Sequence, residues 1–199
     1  MLERSLTVDV LKVVAAQLIV WHHFSAYGPM ADTMTLMWPQ LMEWLYRYAR
    51  LAVQVFLVVG GYLAAQSVMH KSIQHPLISI VKRYLRLVPF YVFALALISV
   101  AVAVSRDTIH ASWLPSEPTV WQFLAHGFLA HDILGFEALS SGAWYVAIDF
   151  QLYALLIVLC HTLHTDTHKR LSITVALLCV VSMWQFNRVD ELDIWAIYF

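Results

Sequence analysis

Charge is scarce in this 199-residue chain. Charged residues make up 13% of it, about half the share found in soluble globular domains, so an ordinary water-facing surface is excluded. The two signs nearly cancel, with 12 Lys and Arg against 13 Asp and Glu. That balance leaves no basic patch for nucleic acid. Cysteine is nearly missing as well. Cys160 and Cys179 lie in separate apolar runs and match no metal or redox spacing, so both are expected to pack as small apolar groups. Internal repeats and low-complexity linkers are lacking too, which leaves one membrane domain over residues 1–199 as the expected organisation.

What is present is apolar length. Hydrophobic residues reach 61%, and runs of about twenty such residues suit a bilayer core of roughly 30 Å. Five spans are expected, at about 8–27, 51–69, 87–105, 143–163 and 171–187, giving an all-α, polytopic helix bundle. Trp21, Tyr27, Trp144 and Trp184 fall near span ends, where aromatic belts form. The first run resembles a secretory signal, but Asp9 and Lys12 interrupt it and no small-x-small cleavage site follows. It is therefore expected to be retained. Residues 119–137 are apolar yet carry His126, His131, Asp132 and Glu137, which points to an interfacial or re-entrant helix.

The cations support that reading. Arg4, Lys71, Lys82, Arg83, Arg86, Lys169 and Arg170 share one side only if 119–137 does not cross, and that side is cytoplasmic by the positive-inside rule. The N-terminus is then inside. The chain stops at Phe199 within an apolar run too short to cross, so the domain is expected to be C-terminally incomplete.

Lys12 and His23 are the ionisable pair of the first span, separated by ten uncharged residues. Eleven residues of helix complete about three turns and rise roughly 16 Å, placing both on one face. Charged groups inside a span usually face a cavity, a partner or a substrate path. Lys12 either snorkels to anchor the helix end or holds an anion. His23 shares its face and His22 does not, so His23 is the candidate general base. Arg83 and Arg86, three apart, can clasp phosphate with their forked guanidinium groups, or can be ordinary inside charge. Asp149 and Tyr153, four apart, share a face at the opening of the fourth span, where a carboxylate needs an arginine, a hydroxyl or a sugar as partner. His161, His164 and His168 recur at helical spacing but run out of the membrane, so no metal site is expected. Gly60-Gly61 suits close helix packing.

Four segments, in order, resemble the N-terminal half of the acyltransferase-3 family of integral membrane acyltransferases. Asp9-Val10-Leu11-Lys12 with His23 resembles its Asp-Gly-Leu-Arg and Arg-x10-His signature. Val53 to Leu63 is similar to its Phe-Phe-Val-x-Ser-Gly-Phe-Leu span, and Arg83 to Tyr91 to its Arg-x-x-Arg-Leu-x-Pro-x-Tyr segment. Trp144 to Tyr153 resembles its Trp-Ser-Leu-Ser-Val-Glu-Glu-Gln-Phe-Tyr segment. Among the departures from the pattern, Lys12 replaces arginine, Gly60 replaces serine, and Asp149 replaces the first glutamate. The resemblance implies transfer of an acetyl- or succinyl-type group from acyl-CoA, a co-substrate, to a hydroxyl of an extracytoplasmic carbohydrate or glycan in a bacterial inner membrane. It implies no tightly bound cofactor. Lys12, Arg83 and Arg86 would hold the coenzyme's phosphates, His23 would act as base, and Asp149 and Tyr153 would orient His23 or the acceptor. The alternatives are a non-catalytic transport component for a polysaccharide precursor, or an inactive truncated remnant.

Overall fold

Proline and glycine set the helix boundaries. The computed structural model describes residues 5–69, 75–106, 118–162 and 172–180, and among these every regular element is helical. The helices are α1 (Leu6–Ala26), α2 (Pro29–Met37), α3 (Pro39–Tyr48), α4 (Ala52–Met69), α5 (Pro76–Ser105), α6 (Val120–Gly127) and α7 (Ala143–Thr162), with a 3₁₀ turn at Ala49–Leu51 before α4. Pro29, Pro39 and Pro76 each open a helix, where the missing N–H is no loss and the ring fixes a helical φ. Gly28 turns the chain between α1 and α2 at φ 90°, a conformation that a side chain would strain.

Four helical runs are long and apolar enough to cross a membrane: Leu6–Ala26, Pro39–Val68, Pro76–Ser105 and Ala143–Thr162. All-helical architecture and multiple spans therefore follow the sequence pattern. The boundaries differ from it. The second run starts at Pro39 rather than 51, and the third starts at Pro76 rather than 87. Both additions are amphipathic turns that a search for unbroken apolar runs passes over. Of the expected span at 171–187, residues 172–180 are helical and the rest lie outside the described residues.

The chain divides into two compact units, residues 1–63 with 162–199, and residues 64–161. In the first, α1, α2 and α3 pack on one another. In the second, Tyr91 and Leu95 of α5 share a buried core with Leu129, Leu139, and Ala143 and Ala147 of α7. The two alanines are 2% and 0% exposed. Their small side chains are enclosed by Leu129 and Leu139 as well as by α5. Close helix packing was expected of Gly60-Gly61; at Gly61 a Cβ would meet nothing within 4 Å.

The register of α5 against α7 explains residues 119–137. Leu95 lies beyond Arg83 on α5 and meets residues that precede Asp149, so the helices run antiparallel. Arg83 is about 10 Å from the start of α5, and Asp149 about 9 Å from the start of α7. Level helices entering from opposite faces would hold those residues about 25 Å apart. They touch instead. α7 thus begins roughly level with the middle of the 30-residue α5, and the preceding segment turns back beside it. α6 has eight residues, about 12 Å of helix, which is too short to cross. A capping box opens it, with the Thr119 hydroxyl accepting from Gln122 N and the Gln122 side chain accepting from Thr119 N.

Candidate functional site

In the first unit, α1 is unbroken from Leu6 to Ala26. The eleven-residue step from Lys12 to His23 therefore leaves them about 20° apart around the axis and roughly 16 Å apart along it. Lys12 is half-buried, as are both histidines. Their surroundings differ. His22 Nδ1 lies 3.4 Å from Leu45 O, and its ring is 5.8 Å from that of Tyr46, so it ties α1 to α3. His23 stacks on Tyr27 at 6.1 Å, and its buried Nδ1 has no hydrogen-bond partner among the described residues. One imidazole is structural, and the other keeps a nitrogen open.

In the second unit, Arg83 Nη2 donates to Asp149 Oδ2 at 2.6 Å. The guanidinium carbon sits 4.2 Å from the centre of the Tyr153 ring, a cation–π distance. Asp149 and Tyr153 share a face of α7 one turn apart, so both reach the same guanidinium. The side chains of Arg83 and Asp149 are 22% and 18% exposed, leaving most of the fork's five N–H donors in a screened but open position. Arg86 stands exposed one turn further on.

Around this pair the chain is tied down by side chains. Tyr84, next to Arg83, donates to Gly127 O at 2.7 Å. Gln151, between Asp149 and Tyr153, donates to Leu129 O at 2.8 Å. Gln122 donates to Glu137 O at 2.8 Å. Leu129 itself adopts φ 55° although it carries a side chain.

With the geometry in place, a family model described as an acyltransferase domain matches residues 6–199. The chain belongs to the acyltransferase-3 family. That match contains all the residues above, in both units. A relative, the Regulator of hypoxia-inducible factor 1 of Caenorhabditis elegans, is 25% identical over 190 residues, covering 87% of this chain and 38% of its own length. The chain spans well under half of that relative. No solved structure matches.

Within this acyltransferase-3 chain, six candidates fall in two groups: Lys12 and His23 on α1, and Arg83, Arg86, Asp149 and Tyr153 across α5 and α7. Asp149 and Tyr153 engage Arg83, a contact that sequence spacing alone did not pair. Among the described residues no cluster of His, Cys, Asp and Glu could hold a metal. His164 and His168 lie outside the described residues. The sequence also left His126 and His131 without a role, although two histidines and an aspartate in an apolar stretch were the available signal. Both are fully buried, with rings stacked at 3.9 Å and 11°.

Proposed function

We propose that this protein is a membrane-embedded O-acyltransferase that moves an acetyl- or succinyl-type group from acyl-CoA to a hydroxyl of an extracytoplasmic glycan. The observation that carries this reading is α1: a cation and an imidazole on one face, with the imidazole's buried Nδ1 open. Family membership supports the reaction class. The donor, acceptor and inner-membrane location, with the N-terminus cytoplasmic, rest on the charge pattern and on the resemblance.

In the second unit Arg83 and Arg86 bind the coenzyme's phosphates by charge-assisted hydrogen bonds; for Lys12, in the first unit, the phosphate role rests on the resemblance alone. Asp149 and Tyr153 act through Arg83: the carboxylate fixes the fork's direction and the ring supports its face. The pantetheine arm extends the thioester along a distance on the order of the 16 Å rise. The acceptor oxygen attacks the thioester carbonyl while His23 takes its proton. The C–O bond forms, the C–S bond breaks, and the proton passes to the departing thiolate. Such base catalysis is typically worth about 10²–10⁴-fold.

Acyl transfer in membranes carrying the full protein tests this. His23→Ala should lose that factor while retaining donor binding, and a fully active variant removes the proposed base. Lys12→Ala should weaken donor binding, and an unchanged affinity removes its phosphate role.

A further inference from the structure

The second unit holds a cluster outside the residues proposed for acyl transfer. His126 is locked as a neutral ring: Nδ1 lies 2.8 Å from Gln122 O and donates to it, because Nε2 accepts from Leu139 N at 3.1 Å. His131 stacks on it, equally buried, and neither of its nitrogens makes a hydrogen bond among the described residues. Its Nε2 is 3.5 Å from Asp132 Oδ2, whose carboxylate reaches the surface. α5 contributes the Tyr91 hydroxyl, also buried and without a hydrogen-bond partner among the described residues. α7 contributes apolar Ala143 and Ala147 to the adjoining core, and Glu137 of the same segment is exposed.

Leaving buried polar atoms unbonded is unfavourable, and placing an imidazole this way needs support. The segment supplies it. Tyr84, Gln151 and Gln122 grip the carbonyls of Gly127, Leu129 and Glu137, and Leu129 is held in the left-handed region. The ties start one residue from Arg83 and two from Asp149.

We propose that His131 is a proton-binding site that releases the 128–139 segment from α5 and α7 when it is charged. An imidazolium cannot stay against a buried neutral ring whose nitrogens are already used, but it can pair with Asp132 at the surface. Leaving the stack removes His126's packing partner and frees Leu129 and Leu139 from the core. Burial first, and His126 second, hold His131 below the ordinary histidine value, against a smaller upward pull from Asp132. The open segment therefore binds more protons than the closed one. The closed form is fully favoured above the open-state value of about 6.5 and is lost as pH falls below it, by up to about tenfold per pH unit. Because Tyr84 and Gln151 flank the Arg83–Asp149 pair, opening also loosens that pair and lowers donor affinity. This last step rests on the donor role proposed for Arg83.

Hydrogen exchange of the chain in phospholipid nanodiscs, corrected for intrinsic rates, tests the switch. The Leu139 amide should lose about tenfold protection per pH unit below about pH 6. His131→Phe, which keeps a stacked ring, should stay protected at every pH, and Asp132→Asn should shift the loss to lower pH. A pH-independent wild type, or a His131→Phe variant that opens like wild type, overturns the proposal. If the variant does not fold, an unshifted Asp132→Asn profile overturns it equally. Acetyl-CoA titrated at the same pH values should bind more weakly in step with opening. Unchanged affinity there overturns only the coupling, and failure to bind at any pH overturns the donor role while exchange still decides the switch.

Discussion

Arg83 and Asp149, 66 positions apart in sequence, meet at 2.6 Å and fix the register of α5 against α7. Most of their side-chain surface is screened, so an unpaired charge left at either position is poorly solvated. Asp149→Asn should lower unfolding stability by about 1–3 kcal/mol. A double-mutant cycle with Arg83→Gln in thermal unfolding should give a coupling of about 1–2 kcal/mol. Strictly additive losses would show that the pair does not hold the helices.

The two neighbouring histidines should behave differently. His22 makes a long 3.4 Å contact to Leu45 O, so His22→Ala should cost less than about 1 kcal/mol and leave the transfer rate near wild type. Side-by-side rates for the His22 and His23 variants check this, and equal losses would contradict it.

Thr119 caps α6 through Gln122. Thr119→Ala should cost about 1 kcal/mol and raise amide exchange at Gln122. Gln122→Ala should cost more, because the same side chain also grips Glu137 O. A reversed order would place the support for the segment elsewhere.

Leu129 combines burial at 1% exposure with φ 55°. Emptying its site should cost about 2–5 kcal/mol, whereas the left-handed backbone holds about 1–2 kcal/mol of strain. Packing wins, so both Leu129→Ala and Leu129→Gly should destabilise. Glycine relieves the strain, so it should be the milder of the two. Chemical denaturation of both variants decides this, and a harsher glycine would argue against a strained backbone.

Close packing gives a further contrast. Ala147 is 0% exposed in the core with Leu129 and Leu139, so Ala147→Leu overpacks that core and should cost about 1–3 kcal/mol. Gly61→Ala meets open space and should stabilise the helix by about 0.5–1 kcal/mol. Thermal midpoints of the two variants test the contrast, and a neutral Ala147→Leu would mean that the core has room there.

The site was legible in the sequence to different depths. Lys12 and His23 could be read because both lie on one unbroken helix, where spacing alone sets direction. Arg83, Asp149 and Tyr153 could be picked out as ionisable or aromatic groups in apolar surroundings, but not joined. His126 and His131 were visible only as oddities in residues 119–137, since stacking requires the segment to turn back on itself.

The sequence by itself determined the all-helical membrane architecture and the shared face of Lys12 and His23. These depend on local hydropathy and on the fixed rise and turn of a helix. Only the tertiary structure decided that Asp149 and Tyr153 meet Arg83, that Ala143 and Ala147 are buried in a core with Leu129 and Leu139, and that the His131 nitrogens are buried without a hydrogen bond among the described residues. Those outcomes depend on how far one packed helix slides along another, a quantity that no local pattern carries.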